Sequence, residues 1–158
     1  MSLRVGSGFD LHPLREGRPL RLGCIEIPSE KGPVGHSDGD VVAHALASAL
    51  LGACGLGDLG DFFPPKDPKW AGVSGETILG EVFNRVRDLG FKVLNADVTV
   101  FLEEPCLRDY KAAMAEKLAE LLKVDRQCVC IKATTAEGFG AVGKGEAVGA
   151  AATVLLTR

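Results

Sequence analysis

The sequence predicts an α+β fold, in which helices pack on one face of a mixed β-sheet. Segments with the alternation of strands and segments with the periodicity of helices follow one another in the order β-β-α-α-β-α-β-β. The chain has 158 residues, the length of one domain with its own hydrophobic core. Its composition, 46% hydrophobic and 25% charged, is that of an ordinary globular protein.

Two strands are predicted near the N-terminus. Residues 3–9 and 19–27 alternate in the way that half-buried strands do. Because proline cannot donate to a strand ladder, Pro13 and Pro28 are expected to end these two strands.

Two helices are predicted next. Ser37 is the expected N-cap of the first helix, which has acids in its first turn and continues to about Leu56. The stretch 57–70 is rich in Gly, Asp and Pro and is predicted to be a loop. The second helix, 76–89, has apolar residues at helical spacing, with Ser74 near its N-cap.

The second half of the chain continues the pattern. Residues 91–101 are predicted to form a strand, and Pro105 is expected to open a third helix that ends at Leu122. Residues 128–133 and 147–156 are predicted strands, the last one rich in Ala and Gly. A chain this short has few ways to cover both faces of such a sheet, so we expect further copies of the chain to cover the open face.

Charge and composition argue against several classes of partner. Lys and Arg number 18 against 21 Asp and Glu, a net charge of −3, whereas nucleic-acid binding needs a basic excess. The longest uncharged run, Val41–Gly57, is shorter than the ~20 apolar residues of a membrane helix. No N-terminal segment resembles a signal peptide, and five cysteines without a Cys-x-x-Cys pair are expected to be reduced, which favours the cytoplasm.

Three residues form a candidate metal site. Asp10 and His12 are two positions apart on a predicted strand, so their side chains share a face, and His44 lies on an otherwise apolar helix. Two imidazoles and a carboxylate suit Zn²⁺ with a fourth position open, which is typical of catalytic sites. The simpler interpretation is a pair of surface residues and a hydrogen-bonded core histidine. The spacing favours the metal, and these three residues are called the Asp-His-His triad below.

Two loops offer further chemistry. His36 and Ser37 precede the first helix, where free N–H groups suit an anion, although helix capping alone explains the serine. Asp58 follows that helix in an acidic turn and can bind sugar hydroxyls, although turn formation alone explains it too.

The glycine-rich segment 138–145 partly matches two nucleotide-binding motifs. The chain ends before the acidic residue of a dinucleotide fold, and Gly145 replaces the Ser or Thr of a P-loop, so both interpretations fail. Thr134 and Thr135, with Lys144, can still cradle phosphate, and Glu137 can hold Mg²⁺. A solvated connection between two strands is an equally good interpretation of these residues alone.

Together these motifs carry a resemblance that covers essentially the whole chain. The sequence resembles the 2-C-methyl-D-erythritol 2,4-cyclodiphosphate synthases of the methylerythritol phosphate route to isoprenoids. The segments that carry the resemblance are Gly8-Phe-Asp10-Leu-His12-Pro13, His36-Ser-Asp-Gly-Asp-Val-Val-Ala-His44, Gly57-Asp-Leu-Gly-Asp-Phe-Phe-Pro64, Asp97-Val-Thr99 and Lys132-Ala-Thr-Thr-Ala-Glu137.

The resemblance implies an enzyme and an assembly. Residues 1–158 would be a single catalytic domain, and three copies would form a homotrimer with active sites between adjacent subunits. In the implied lyase reaction, the 2-phosphate of 4-diphosphocytidyl-2-C-methyl-D-erythritol 2-phosphate attacks the β-phosphorus. The products are 2-C-methyl-D-erythritol 2,4-cyclodiphosphate and CMP, and the implied cofactors are Zn²⁺ and either Mg²⁺ or Mn²⁺.

The resemblance also implies residue roles. The Asp-His-His triad would hold zinc, Glu137 the second ion, and His36 and Thr135 would stabilise the transition state. Substrate contacts are implied for Ser37, Asp58, Gly60, Phe63, Asp67, Leu102, Pro105, Cys106, Leu107, Arg108, Ala133, Thr134, Ala141 and Lys144. Among these, the turn at Asp58 and Gly60 would bind the erythritol part, and residues 102–108 and 133–135 would receive cytidine in a site shared between subunits.

The sequence departs from the family pattern at a few of these positions. Ala141 stands where Phe is common, Lys144 where Arg is common, and Cys106 where the cytidine loop often has Lys. These changes affect contacts to phosphate and base rather than the implied reaction.

Two other classes of function stay open from the residues alone. One is a metal-dependent phosphohydrolase, which would release inorganic phosphate, and the other is a nucleotide-binding scaffold without turnover. Cyclisation needs no protein base, because its nucleophile is already an anion. This agrees with a chain that has no evident Ser-His-Asp or Cys-His arrangement, since phosphoryl transfer depends mainly on positioning and charge neutralisation.

Overall fold

The chain is organised around a five-stranded mixed sheet. The computed structural model describes all residues, 1–158. The strands are β1 (Leu3–Glu16), β2 (Leu20–Leu22), β3 (Ile25–Ile27), β4 (Lys31–Pro33), β5 (Lys92–Phe101), β6 (Val129–Thr134) and β7 (Ala147–Thr157). The helices are α1 (Val41–Cys54), α2 (Leu59–Phe62), α3 (Gly75–Asp88), α4 (Lys111–Leu122) and α5 (Gly140–Gly143), with 3₁₀ turns at Pro68–Trp70 and Arg126–Cys128. This α+β architecture confirms the predicted fold class.

The central strand of the sheet is β7. The strand order is β4-β1-β7-β5-β6, and β7 runs antiparallel to both β1 and β5. Only β5 and β6 are parallel, which makes the sheet mixed. The strands β2 and β3 form a separate two-stranded ribbon.

Helix α1 lies against β1 at backbone distance. Almost all of its residues are buried, including its alanines, so it forms the centre of the core. A Cβ atom on Gly6 or Gly8 would overlap the carbonyl oxygens of Ala49 and Ala45, respectively. This close approach fixes α1 over the face of β1 that, by alternation, also carries Asp10 and His12.

The opposite face of the sheet is open and partly apolar. Leu3, Val5, Phe9 and Leu11 alternate along β1, and between half and 70% of each side chain is exposed. Neighbouring positions on β7 carry small or aliphatic residues such as Ala151 and Leu155. Exposed apolar patches of this kind mark interaction surfaces.

The segment 19–27, predicted to be one strand, is a hairpin. Its two halves, β2 and β3, pair antiparallel around Gly23 and Cys24. These two residues have φ of 60° and 64°, the left-handed conformation that a two-residue hairpin turn needs at both positions. The prediction was wrong because the alternation continues across the turn and cysteine is uncommon in the left-handed region.

The first strand does not end at Pro13, as predicted, but continues to Glu16. Pro13 pairs with Ala147 of β7, and its carbonyl accepts the N–H of Val34 at 2.9 Å, just beyond the end of β4. The ladder between β1 and β4 begins only at Leu14, so no ladder bond requires an N–H at position 13.

The N-cap of α1 is Asp40 rather than Ser37, which corrects the predicted start. The Asp40 side chain accepts the N–H groups of Val42 and Ala43, and the helix ends at Cys54 with Gly55 in the left-handed conformation. The loop contains three capping residue types within four positions, and the sequence alone does not distinguish them.

The predicted helix from Pro105 begins only at Lys111. The side chains of Leu102 and Leu107 are buried, and this draws the intervening segment onto the core as an irregular loop. The loop 57–70 also differs from its prediction, because it contains α2 and a 3₁₀ turn. The strand β4 and the helix α5 have no counterpart among the predicted elements.

The remaining elements follow the prediction within one or two residues. Helix α3 begins after Ser74, whose hydroxyl accepts the N–H of Thr77, and β5, β6 and β7 occupy the expected segments. All five cysteines are free. None of the helices has the length and apolar character needed to span a bilayer.

Candidate active site

The structure brings the Asp-His-His triad together. Asp10 and His12 project from the β1 face that packs on α1, and His44 lies one turn into α1. The Nδ1 atoms of His12 and His44 lie 3.1 and 3.0 Å from Asp10 Oδ2. The candidate ligand atoms all lie within 4.8 Å of one another. Because β1 and α1 are in backbone contact, the packing of the core fixes the positions of these three side chains.

The charges in the cluster are those of a cation site. Burial of Asp10 opposes its ionisation, but its contacts with His12 and His44 outweigh this and lower its pKa to about 2. Burial lowers the pKa of His44, yet its hydrogen bond and charge interaction with Asp10 outweigh this and raise the pKa. The carboxylate is therefore anionic at neutral pH and attracts positive charge.

One buried atom indicates that the cluster fits a metal ion. Nδ1 of His12 has no hydrogen-bond partner, although it lies close to Asp10, because the geometry is not that of a hydrogen bond. Buried polar atoms normally have a partner, and a metal ion bound to Nδ1 would supply it. Ligand atoms in tetrahedral zinc sites lie roughly 3.3 Å apart for bonds of about 2.0 Å, close to the distances from Asp10 Oδ2 to the two histidine Nδ1 atoms.

The loop before α1 is held by its acidic side chains. Asp40 is completely buried and accepts four backbone N–H groups, from Gly23, Cys24, Val42 and Ala43, at 2.7–3.1 Å. Asp38 accepts the N–H of Gly75 at 2.8 Å, at the start of α3. These bonds join the β2–β3 turn, α1 and α3 around the loop that carries His36 and Ser37.

A cleft of about 220 Å³ opens beside the triad. Its polar lining comes from His12, His44, His36 and Ser37. Its apolar lining is Leu59, Gly60, Phe63, Pro64, Pro65, Trp70, Val73 and Ile78. Phe63 and Trp70 meet edge to face, with ring centroids 4.7 Å apart. The cleft thus joins a charged end to an apolar wall.

Two predicted residues of this region lie outside the cleft lining. The backbone N–H of Asp58 donates to Asp61 at 3.0 Å, where Asp58 caps α2. The side chain of Asp67 accepts the N–H of Lys69 at 2.9 Å, at the start of a 3₁₀ turn. The backbone of Asp58 and the carboxylate of Asp67 therefore take part in the loop's own hydrogen bonds, and Gly60 and Phe63 form the wall.

A second cleft, of about 270 Å³, is formed by residues predicted to receive cytidine. Its lining includes Leu102, Pro105, Cys106, Leu107, Arg108, Ala133, Thr134 and Thr135. Glu103, which lies within the predicted segment 102–108, also lines it, as does Lys111, which was missed from the sequence. The Oε2 atom of Glu103 accepts the N–H of Ala136 at 3.1 Å, which ties the loop after β5 to the turn after β6.

The turn after β6 presents Glu137. This residue has a φ of 52°, and its Oε1 accepts the Thr135 hydroxyl at 3.1 Å. The structure places Ala141 and Lys144 apart from both clefts. Ala141 lines a separate hollow with Leu11 and Arg15, and Lys144 is exposed.

The two clefts lie far apart on one chain. Asp10 pairs with Ala150 of β7, Ala150 pairs with Val100 of β5, and Val100 pairs with Ala133 of β6. The triad and the second cleft are thus at the same level of the sheet but three strands apart. At about 4.8 Å per strand this is roughly 14 Å.

Comparison with known proteins identifies the relationship. The model of the YgbB family matches residues 3–157. The chain belongs to the YgbB family. Together with the names of the curated relatives, this family membership confirms the resemblance found in the sequence.

The curated relatives of this YgbB-family chain carry one enzyme name. The 2-C-methyl-D-erythritol 2,4-cyclodiphosphate synthase of Treponema denticola is 43% identical over 154 residues, 98% of this chain and 96% of the relative. The synthase of Desulfosudis oleivorans is 49% identical over 98% of this chain and 92% of its own length. A solved structure of such a synthase in a CDP-bound form has a TM-score of 0.91 at 41% identity, over 98% of this chain and all of its own.

Several cleft residues of this YgbB-family chain were not foreseen from the sequence. They are Leu59, Pro64, Pro65, Trp70, Val73, Ile78 and Lys111. The apolar ones resemble core residues in the sequence, because only the tertiary packing of α2, the following loop and α3 brings them beside the triad. Glu103 was predicted only as part of the segment 102–108, and its contact with the turn after β6 is visible only in the structure.

Proposed function

We propose that this chain is a cyclodiphosphate synthase that converts 4-diphosphocytidyl-2-C-methyl-D-erythritol 2-phosphate into 2-C-methyl-D-erythritol 2,4-cyclodiphosphate and CMP. One observation carries the proposal: the Asp-His-His triad forms a candidate metal site beside a cleft, in a chain that matches the named synthases along almost its whole length. The reaction belongs to the methylerythritol phosphate route to isoprenoids.

The charged end of the first cleft would hold the diphosphate. The triad would bind Zn²⁺, and Glu137 would hold Mg²⁺ or Mn²⁺, because a carboxylate and a diphosphate repel unless a cation lies between them. When bound, such ions neutralise negative charge on the phosphates and polarise the reacting phosphorus. His36 would donate to the developing charge, and Thr135 of a neighbouring copy would do so from the turn that carries that copy's Glu137.

The apolar wall of the first cleft suits the methylerythritol part. Phe63 and Trp70 present ring edges and faces to a carbon skeleton, and Gly60 leaves room for it to approach the backbone. The attacking 2-phosphate needs no base, so the task of these residues is to hold it in line with the β-phosphorus. Holding two reacting groups in this way supplies a large part of the rate enhancement.

We propose that the second cleft receives the cytidine of a substrate bound to a neighbouring copy. A separation of roughly 14 Å along the sheet keeps the second cleft of one chain away from its own triad. A solved relative at 41% identity is described as a CDP-bound form, which supports a cytidine ligand. The homotrimer predicted from the sequence would bring one copy's triad beside another copy's Thr135, with the open apolar face of β1 buried between them.

Two further predictions from the sequence belong to the same proposal. The ligand is a small molecule rather than a nucleic acid, because the net charge is −3. A cytoplasmic location stays a prediction from the five cysteines, which are all free.

The proposal is tested by linking metal content to turnover. Parent protein should contain about one zinc per chain and release CMP from the substrate with Mg²⁺ present. His12→Ala and His44→Ala should lose the zinc and the turnover while keeping their far-ultraviolet circular dichroism. Cys24→Ala alters a free cysteine outside both clefts and should keep both properties. Unchanged zinc content in both histidine variants would reject the metal assignment.

A further inference from the structure

The hydroxyl of Ser37 already has two partners in the structure. Its Oγ lies 3.3 Å from Nε2 of His44 and accepts the N–H of Gly39 at 3.2 Å. The family resemblance implies only a substrate contact for this serine. Its position against the outer nitrogen of a triad histidine points to a second task.

The direction of the hydrogen bond follows from the chemistry of imidazole. Nδ1 of His44 faces Asp10 at 3.0 Å, so this nitrogen is the one that would bind a metal ion. An imidazole that gives the lone pair of Nδ1 to a metal keeps its proton on Nε2. The Ser37 oxygen must then accept that proton's hydrogen bond.

A serine hydroxyl has two lone pairs and one proton. The bonds from His44 and Gly39 use both lone pairs of Ser37. Only the hydroxyl proton remains free, and Ser37 lines the cleft beside His12 and His36. Ser37 is therefore a pure donor toward the cleft, which suits an oxygen of a phosphate.

We infer that Ser37 is a positioning residue of the metal site: it accepts Nε2–H of His44, keeps Nδ1 directed at the metal, and links this geometry to a phosphate in the cleft. The inference rests on the proposed function, because it requires a metal on the triad.

The other triad histidine has no such partner. Nε2 of His12 makes no side-chain hydrogen bond and lies beside Gly35, where a Cβ atom would come within 2.9 Å of it. The outer nitrogen of His12 is thus held by backbone packing. Ser37 is the one hydroxyl bonded to a ring nitrogen of the triad, so its removal should affect His44 selectively.

The test measures zinc binding alone, without substrate. Zinc affinity is determined by competition with a chromophoric chelator for the parent, Ser37→Ala and Ser37→Thr. Loss of a hydrogen bond that orients a metal ligand typically weakens metal affinity 10–100-fold, so we expect that loss in Ser37→Ala. Ser37→Thr keeps the hydroxyl and should bind zinc within about threefold of the parent.

A matched control separates this task from loop stability. Asp38 holds the same loop through the N–H groups of Asp40 and Gly75 but makes no hydrogen bond to His44. Asp38→Asn should keep zinc affinity within about threefold. In zinc-loaded parent, long-range ¹H–¹⁵N spectra should show a slowly exchanging Nε2–H on His44, and this signal should exchange rapidly in Ser37→Ala.

Each outcome decides the inference. Zinc affinity in Ser37→Ala within twofold of the parent, or an equal loss in Asp38→Asn, overturns it. Absence of zinc binding in the parent would instead refute the proposed metal site, so the two failures are distinguishable.

Discussion

Replacing Asp40 by asparagine should cost about 3 kcal/mol of unfolding free energy. Asp40 Oδ1 accepts from Gly23, Val42 and Ala43, and Oδ2 accepts from Cys24 at 2.7 Å. Asparagine keeps one acceptor oxygen but turns an NH₂ group toward the N–H of Cys24. A buried donor left without a partner costs about 1–3 kcal/mol, and the three remaining bonds lose the strengthening that a charged acceptor provides.

Removing the buried charge offsets part of this cost, because a carboxylate without exposure is poorly solvated. Urea denaturation followed by circular dichroism at one fixed protein concentration measures the difference, and an unchanged m-value shows that the midpoint shift reflects stability. Asp88→Asn, at an exposed position on α3, is the control and should stay within about 0.5 kcal/mol of the parent. A loss below about 1 kcal/mol for Asp40→Asn would refute the view that this carboxylate joins the hairpin turn to α1.

Three further predictions follow from the packing and the site. Gly8→Ala places a Cβ against the carbonyl of Ala45, so it should destabilise the protein by about 3 kcal/mol in the same urea assay. Gly80→Ala, on α3 where an added Cβ meets nothing within 4 Å, is the matched control and should not destabilise the protein; equal losses in the two variants would contradict the backbone contact between α1 and β1. The folded-state pKa of Asp10 is about 2, below its ordinary 3.8, so its ionised form stabilises metal-free protein above pH 3.8 and this contribution is lost as the pH falls toward 2. Chelator-treated Asp10→Asn should therefore lose less stability than the parent over that interval, and parallel acid-unfolding curves would argue against the contact with the histidines. Glu137→Gln should keep its zinc and its oligomeric mass but lose most CMP release, with little recovery on added Mg²⁺; normal turnover at the same Mg²⁺ requirement would show that Glu137 is only a solvated loop acid.

The sequence predicts those parts of the fold in which the apolar residues follow a single period, that of a helix or that of a strand. Helix α3 and strand β5 have clear periodicity and a clear boundary residue, and both were placed within a residue or two. The hairpin at Gly23 and Cys24 was missed because its turn is held by Asp40, a residue 16 positions away from Cys24. A local sequence pattern does not reveal such a distant contact. For the same reason, the sequence did not identify Asp40 as the N-cap of α1.

The candidate site also has a part that the sequence predicts and a part that it does not. The triad could be predicted because simple periodicity places Asp10 and His12 on one face of a strand and His44 on a helix. A single contact, between α1 and β1, then brings the three side chains together. The lining by Trp70 and Glu103 depends on how two irregular loops fold, and loop paths follow from tertiary contacts rather than from propensity. Carboxylates such as Asp67 stand in the motif yet bond to their own loop, which only the structure reveals.

The substrate contacts predicted for Ala141 and Lys144 require the proposed assembly. Both lie outside the clefts of a single chain, and Ala141 lines a hollow beside Leu11, on the exposed face of β1. Light scattering that gives about three times 16.6 kDa would support the shared site, and a monomer at micromolar concentration would contradict it.

The most direct test of the proposed reaction is phosphorus NMR of the products. Protein loaded with zinc is incubated with 4-diphosphocytidyl-2-C-methyl-D-erythritol 2-phosphate and Mg²⁺, and the spectrum is followed over time. The cyclisation predicts two coupled resonances of a cyclic diphosphate together with one equivalent of CMP and no inorganic phosphate. Release of inorganic phosphate, or binding of the substrate with no turnover, would contradict it.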